Sequence, residues 1–224
     1  MMKYQPFRPR NPESVFSEAN IVTLIRVVSS LTFFTLAILK HNPTYNYIGF
    51  GIHWIGDFID GFCARKMKQE TILGAEIDII ADRLEIICFY VIFLYFRPYI
   101  YLPVMLYLIN YAFVDFYLSY QFVKFDIISP NYFYKVNKKV YKFNYSPVAK
   151  FCNSSVVTLL LIFLPHLYLL VAVIAGGLIV VKSYSVFLLR KDLAKKRITD
   201  VGSNHLDGLD TNSSNSEYGI GVKL

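Results

Sequence analysis

The chain has 224 residues, of which 55% are hydrophobic and 17% aromatic, and its mean hydropathy is +0.41. The apolar residues come in long blocks, and a helical span of a bilayer takes about 20 of them, so the composition excludes an ordinary soluble domain and predicts an all-α, polytopic membrane bundle. A net charge of +7 would suit a nucleic-acid partner, but the basic residues sit in the flanks of the apolar blocks, which excludes that partner.

The first 19 residues, MMKYQPFRPRNPESVFSEA, mix Lys3, Arg8 and Arg10 with Tyr4, Phe7, Val15 and Phe16. This N-terminal juxtamembrane segment suits an anionic membrane surface, and it has no apolar stretch of the kind a cleaved signal peptide needs. Six spans are predicted, over about 20–40, 46–64, 74–96, 99–122, 147–164 and 167–189, forming a membrane domain over 20–190. Pro165 is the breaker between the last two. Residues 191–224 are a basic flank followed, from Ile198, by a Ser-, Asn-, Gly- and Asp-rich stretch that predicts a disordered tail. Cys63, Cys88 and Cys152 lie in apolar blocks without CxxC spacing and are expected to be small buried hydrophobes.

Charge placement orients the bundle. With the N-terminus inside, seventeen Lys and Arg flank the inner ends of the spans. They are Lys3, Arg8 and Arg10; Arg65, Lys66 and Lys68; Lys124, Lys135, Lys138, Lys139, Lys142 and Lys150; and Arg190, Lys191, Lys195, Lys196 and Arg197. The outer loops hold Lys40 and Arg97. Such a bias predicts that both termini are cytoplasmic.

One region breaks the rule that charges avoid the membrane. It runs from Gly56 through Asp57, Asp60, Gly61, Ala64 and Arg65, crosses a basic turn, and continues through Gly74, Asp78 and Asp82. Asp57, Asp60, Gly61 and Ala64 share one helical face, and Gly74, Asp78 and Asp82 share another. The short turn makes the two helices antiparallel neighbours, so four carboxylates can converge near the cytoplasmic surface. Each alone costs a few kcal/mol in the bilayer, so a cation is needed. Oxygen-only ligands suit Mg²⁺ or Mn²⁺ rather than zinc. Gly61, Ala64 and Gly74 let a ligand approach the backbone, and Arg65 offers a fork for phosphate oxygens. The bland alternatives are structural charges or a cation-transport path. Glu76, Arg83 and Glu85 read as an internal pairing set. Asp115, Lys182 and Asn110 suit either an acceptor pocket or interhelical bonding, and His53 reads as packing. Lys135, Lys138, Lys139, Lys142 and Lys150 are candidates for gathering an anionic acceptor, or only mark topology.

The string Asp57-x-x-Asp60-Gly61-x-x-Ala64-Arg65, eight residues, Gly74-x-x-x-Asp78-x-x-x-Asp82 resembles the full signature of the CDP-alcohol phosphotransferase (CDP-alcohol phosphatidyltransferase) family. Asn20-x-x-Thr23-x-x-Arg26 is similar to the family's usual entry to the first span. The resemblance covers the whole chain and implies a metal-dependent transferase on the cytoplasmic face of a cell inner membrane or the endoplasmic reticulum. It implies that Asp57, Asp60 and Asp78 hold one or two divalent ions against a CDP-linked donor, with Asp82 as general base and a further metal contact. Gly61, Ala64, Arg65 and Gly74, with Asn20 and Thr23, would bind the donor. It also implies membrane lipid as a partner and a homodimer. The six-span form is similar to the branch that moves phosphatidyl from CDP-diacylglycerol to a small alcohol, releasing CMP. GAEIDIIADR compares with GAxLDPxADK of glycerophosphate-type members, with Ile79 in place of Pro and Arg83 in place of Lys; Ala149-Lys150 is similar to a GK element of that branch. Glycerol 3-phosphate is therefore the expected acceptor, and inositol or its phosphate the alternative. A cation transporter or an inactive relative is the expectation from a different class.

Overall fold

In a computed structural model, which describes residues 17–67 and 70–214, the apolar blocks are helices, and no strand occurs among the described residues. The first three helices each begin on a polar side chain that satisfies an amide left unpaired by the first turn. Ser17 accepts from the Asn20 amide at 3.2 Å and opens α1 (Glu18–Leu39). Asn42 accepts from the Thr44 amide ahead of α2 (Pro43–Lys66), where Pro43 presets the backbone of the first turn. Thr71 accepts from the Gly74 amide at 2.9 Å and opens α3 (Ile72–Phe96). The three helices pack around Phe34, Phe50, Phe89 and Phe93, and the Phe50 and Phe89 rings stack 4.4 Å apart. Rings of this size supply much of the buried area in such a core.

The fourth apolar block is not one uniform helix. A 3₁₀ turn at Pro98–Ile100 leads into α4 (Tyr101–Ile109), followed by a π-helical segment at Asn110–Asp115, then α5 (Phe116–Tyr120) and a 3₁₀ turn at Gln121–Phe125. Asp126, in the left-handed region at φ 53°, ends the run and redirects the chain. The connection that follows is folded rather than open. It holds a 3₁₀ turn at Pro130–Lys135, α6 (Lys138–Val140) and a π turn at Tyr141–Tyr145. Its Ile127, Phe133, Val140 and Tyr145 pack against Leu118 and Phe122 and against Leu189 of the last helix, making a second apolar core. Then come α7 (Pro147–Ser154), α8 (Val156–Phe163), a 3₁₀ turn at Pro165–Leu167 and α9 (Tyr168–Ser214).

Among the described residues, three stretches are long and apolar enough to cross a membrane: Asn20–Leu39, Pro98–Phe125 and Pro165–Lys196. The other three predicted spans are helical too, but differ for physical reasons. α2 and α3 carry the carboxylates, Arg65, Lys66 and Arg83, and the block over 147–164 is divided at Ser155 into two helices of 8 residues each. Around the bundle, Leu24, Phe58, Val173 and Phe187 are left uncovered by the chain, an apolar exterior that suits a lipid surroundings.

Two expectations are corrected. α9 continues through Ile198 to Ser214, where composition predicts a disordered tail; no proline interrupts 167–214, so a helix nucleated in the apolar stretch has no missing donor at which to stop. Cys152 is exposed rather than buried, because α7 keeps no residue fully covered. The predicted surface segment at 1–16, Lys68, and 215–224 lie outside the described residues.

Candidate active site

The antiparallel pair α2 and α3 brings the predicted carboxylates together. Asp57, Asp60 and Asp78 each offer an oxygen, all within 4.8 Å of one another. Arg26 of α1 enters this group and meets five carboxylates. Its Nη1 lies 2.9 Å from Asp60 and 3.4 Å from both Asp57 and Asp78; its Nη2 lies 2.9 Å from Asp82, and its Nε 3.1 Å from Glu85. The Arg26 side chain is 1% exposed, whereas Asp57 and Asp78 are 46% and 38% exposed. The cluster is therefore closed on the α1 side and open on the other.

Behind it lies a satisfied network. Glu85 has no exposure, accepts from Ser30, and pairs with His53 Nδ1 at 3.0 Å. Thr23 donates to Asp60 at 3.2 Å. His53, Asp82 and Glu85 could be read as a second ligand group, but the His53 and Glu85 atoms are engaged with each other. The Asp57, Asp60 and Asp78 group is different. Its donors are all carboxylate oxygens, and the buried Asp78 Oδ1 accepts no hydrogen bond. That donor set fits Mg²⁺ or Mn²⁺.

Two clefts adjoin the cluster. The first is lined by Asn20, Thr23, Gly61, Ala64, Arg65 and Gly74, the six residues expected to bind a donor, together with Asp60 and Asp78. Gly74 has a steric reason there: a Cβ would sit 3.0 Å from Thr71 Oγ1 and 3.1 Å from Asn20 Oδ1, in the cleft wall. The far wall is Ile128, Ser129 and Asn131 of the folded connection, which carry no motif and were not foreseeable from the sequence. Tyr132 pins this wall by donating to Glu70 at 2.8 Å. Burial, with that bond, pushes the Tyr132 hydroxyl up to about 12, so it stays a donor.

The second cleft is lined on one side by Asp57, Asp78 and Asp82, and on the other by Arg83, Asp115, Lys150 and Lys182. Arg83 Nη2 lies 2.6 Å from Asp115, which also pairs with Lys182. The Arg83 guanidinium stacks 4.2 Å over Tyr111, and its Nε has no hydrogen-bond partner. The π segment supplies both Tyr111 and Asp115, in keeping with the tendency of such segments to occur at functional sites. Arg83, Asp115 and Lys182 thus pair internally and line a cleft at once. Of the five lysines expected to gather an acceptor, Lys150 lines this cleft; Lys135, Lys138, Lys139 and Lys142 are exposed and line neither. The reason is local: the same short segments bury Phe133, Val140 and Asn144, which leaves the lysines on the outer side.

The carboxylates are divided between the clefts. Asp60 lines the first, Asp57 and Asp82 the second, and Asp78 both. Two ligands could therefore meet across Asp78. The central place of Arg26 was missed from sequence, where it reads as part of a helix-entry pattern; its signal is an arginine two turns into an apolar helix, which needs acidic partners.

Comparison with known proteins bears on this site. Over 106 residues the chain is 31% identical to the CDP-diacylglycerol–glycerol-3-phosphate 3-phosphatidyltransferase of Cereibacter sphaeroides, a stretch that covers 45% of this chain and 48% of that protein. The match thus spans about half the length of that curated relative. No solved structure matches significantly. The CDP-alcohol phosphatidyltransferase profile matches residues 16–184, which include α1, both clefts' carboxylates, Asp115 and Lys182, and the chain belongs to that family.

Proposed function

We propose that the chain transfers a phosphatidyl group from CDP-diacylglycerol to glycerol 3-phosphate and releases CMP. The observation that carries this reading is the division of the carboxylates, with Asp60 in the first cleft, Asp82 in the second and Asp78 shared. The donor's cytidine and diphosphate would lie in the first cleft against Gly61, Ala64 and Gly74, with the buried Asn20 and Thr23 in its wall and the Arg65 fork on phosphate oxygens. Asp57, Asp60 and Asp78 would hold Mg²⁺ or Mn²⁺, which when bound neutralises charge on the diphosphate. Asp82 would take the proton from the acceptor hydroxyl, the alkoxide oxygen would attack the phosphorus bonded to the lipid alcohol, and the bond to CMP would break.

The second cleft favours an anionic acceptor. Arg83, Lys150 and Lys182 face it, with Asp115 as their carboxylate partner. A phosphate group would benefit from that balance more than zwitterionic serine would. The Cereibacter sphaeroides relative is a glycerol-3-phosphate phosphatidyltransferase by name, which agrees with a glycerophosphate acceptor; an inositol-phosphate acceptor fits the same charges. The reading includes six spans, both termini cytoplasmic, the clefts at the cytoplasmic face, and a homodimer in the lipid. The uneven split of Lys and Arg supports the orientation.

Purified protein with CDP-diacylglycerol, Mn²⁺ and a panel of acceptors, reading out CMP, tests the assignment. Glycerol 3-phosphate should turn over fastest. Faster release with serine or diacylglycerol would overturn the acceptor, and no release with any acceptor would overturn the reaction. Labelling of a cysteine placed in the tail, from outside sealed vesicles, should fail if the termini are cytoplasmic.

A further inference from the structure

We propose that Arg26 is a built-in counter-cation that competes with the divalent ion for Asp57, Asp60 and Asp78, and so sets how tightly that ion binds. The inference rests on the metal reading above. One guanidinium nitrogen, Nη1, lies within 3.4 Å of all three carboxylates that form the oxygen-donor group. A cation placed among these oxygens meets a positive charge already there. The competition is built in by packing as well as by charge. Arg26 is 1% exposed, its Nη2 donates to Asp82, and its Nε lies 3.1 Å from Glu85 as an ion pair without a hydrogen bond.

Gly56 makes the arrangement possible. It immediately precedes Asp57, and a Cβ there would lie 2.5 Å from Arg26 Cγ and 2.6 Å from Arg26 Cδ. Those are stem atoms held between helices, not a free side-chain end, so they cannot swing aside alone. The Arg26 stem crosses α2 at Gly56, where α2 has no side chain, and that crossing fixes how far the fork reaches. Five carboxylates from two helices would otherwise repel one another when no metal is present. With Arg26 in place, α1, α2 and α3 can assemble first and admit the ion later through the open side, where Asp57 and Asp78 are exposed.

Arg26 is accordingly a positioning residue, and its signature is metal affinity rather than turnover. The experiment is Mn²⁺ titration, by calorimetry and by the spectroscopic signal of free Mn²⁺, of the full chain in nanodiscs. It compares the wild type with Arg26→Gln, Arg26→Lys and Gly56→Ala, with melting temperature measured in chelator and in Mn²⁺. Arg26→Gln should bind Mn²⁺ about tenfold tighter or more, since a nearby unit charge is removed from a low-dielectric site. Its melting temperature should fall in chelator and recover with Mn²⁺. Arg26→Lys, a point charge without the fork, should fall between it and the wild type. Gly56→Ala keeps every charge yet displaces the fork, so it too should bind Mn²⁺ tighter; it carries the test if Arg26→Gln does not accumulate. Equal or weaker Mn²⁺ binding in both Arg26→Gln and Gly56→Ala, with normal binding by the wild type, would overturn the role of Arg26 alone. Absence of Mn²⁺ binding in the wild type and every variant would overturn the metal reading and this inference with it. Binding that appears only in the variants supports the competition.

Discussion

The carboxylate cluster around Arg26 and the group around Asp115 face the same difficulty, charged side chains among apolar helices, and meet it with opposite balances. Around Arg26 five carboxylates surround one guanidinium. Around Asp115 one carboxylate serves two cations, Arg83 and Lys182. A purely structural ion pair would be expected near neutrality, because uncompensated charge in the bilayer is costly. Each group instead leaves a surplus beside a cleft, negative in one and positive in the other. In the proposed function the acidic surplus would receive a cation with a diphosphate, and the basic surplus an anionic acceptor. Asp82 belongs to the acidic group but lines the cleft of the basic one, where the proposed function would need a base for the acceptor hydroxyl.

The comparison can be broken most completely at the acidic surplus. Chelation should abolish CMP release and Mn²⁺ should restore it; full turnover in excess chelator would show that the surplus is structural. At the basic group, Asp115→Asn removes the shared partner of two buried cations and should destabilise the chain by about 3–5 kcal/mol, read from unfolding of the full chain in detergent. A near-normal stability would mean that Arg83 and Lys182 find other partners. Asp82→Asn should lower kcat by about 100-fold or more, the range of general-base catalysis, while donor binding persists. Asp57→Asn, in contrast, should lose metal-dependent donor binding. Matching kinetic profiles for the two would erase the division between clefts. Lys150→Met should raise the KM for glycerol 3-phosphate by about tenfold, consistent with loss of one charged contact, with the difference shrinking at high ionic strength. Lys138→Ala, on the exposed outer side, should change KM by less than about twofold; a larger effect would restore the lysine rim as an acceptor-gathering surface.

The acidic side was legible in the sequence because its spacing is local. Asp57 and Asp60, then Gly74, Asp78 and Asp82, fall at helical intervals on two helices joined by a short turn, so one periodicity argument places them all. The six residues that line the first cleft follow from the same intervals and from the entry of α1. The basic side was not legible in that way. Asp115 and Lys182 are 67 positions apart, and nothing in either neighbourhood names the other. Ile128, Ser129 and Asn131 come from a connection whose apolar residues are too scattered to announce a fold, yet they close the first cleft. The outward placement of that connection's lysines was hidden for the same reason. Charge counts give a side of the membrane, but the direction of each side chain depends on which neighbours are buried. Helix ends followed the rules where capping residues or prolines are present, at Ser17, Asn42, Thr71 and Pro165. They strayed at Ser155, a serine at the start of α8 whose side chain makes no cap bond.

The π-helical segment at Asn110–Asp115 has a consequence for register. A π turn accommodates one residue more than the α-helical ladder around it, and each α-helical residue turns the chain by about 100°. Everything after the segment is therefore set about 100° from where an unbroken helix would carry it. Ser119, which faces the second cleft, and Leu118 and Phe122, which enter the second core, take their directions from that offset. Deleting one outward residue of the segment, such as the exposed Phe113, would remove the surplus and restore the α-helical ladder with Leu118 and Phe122 still in the core, whereas forcing the full-length segment into α-helix would turn them about 100° toward lipid. The segment is thus the one place in this block where a residue can be lost without turning the faces that follow it.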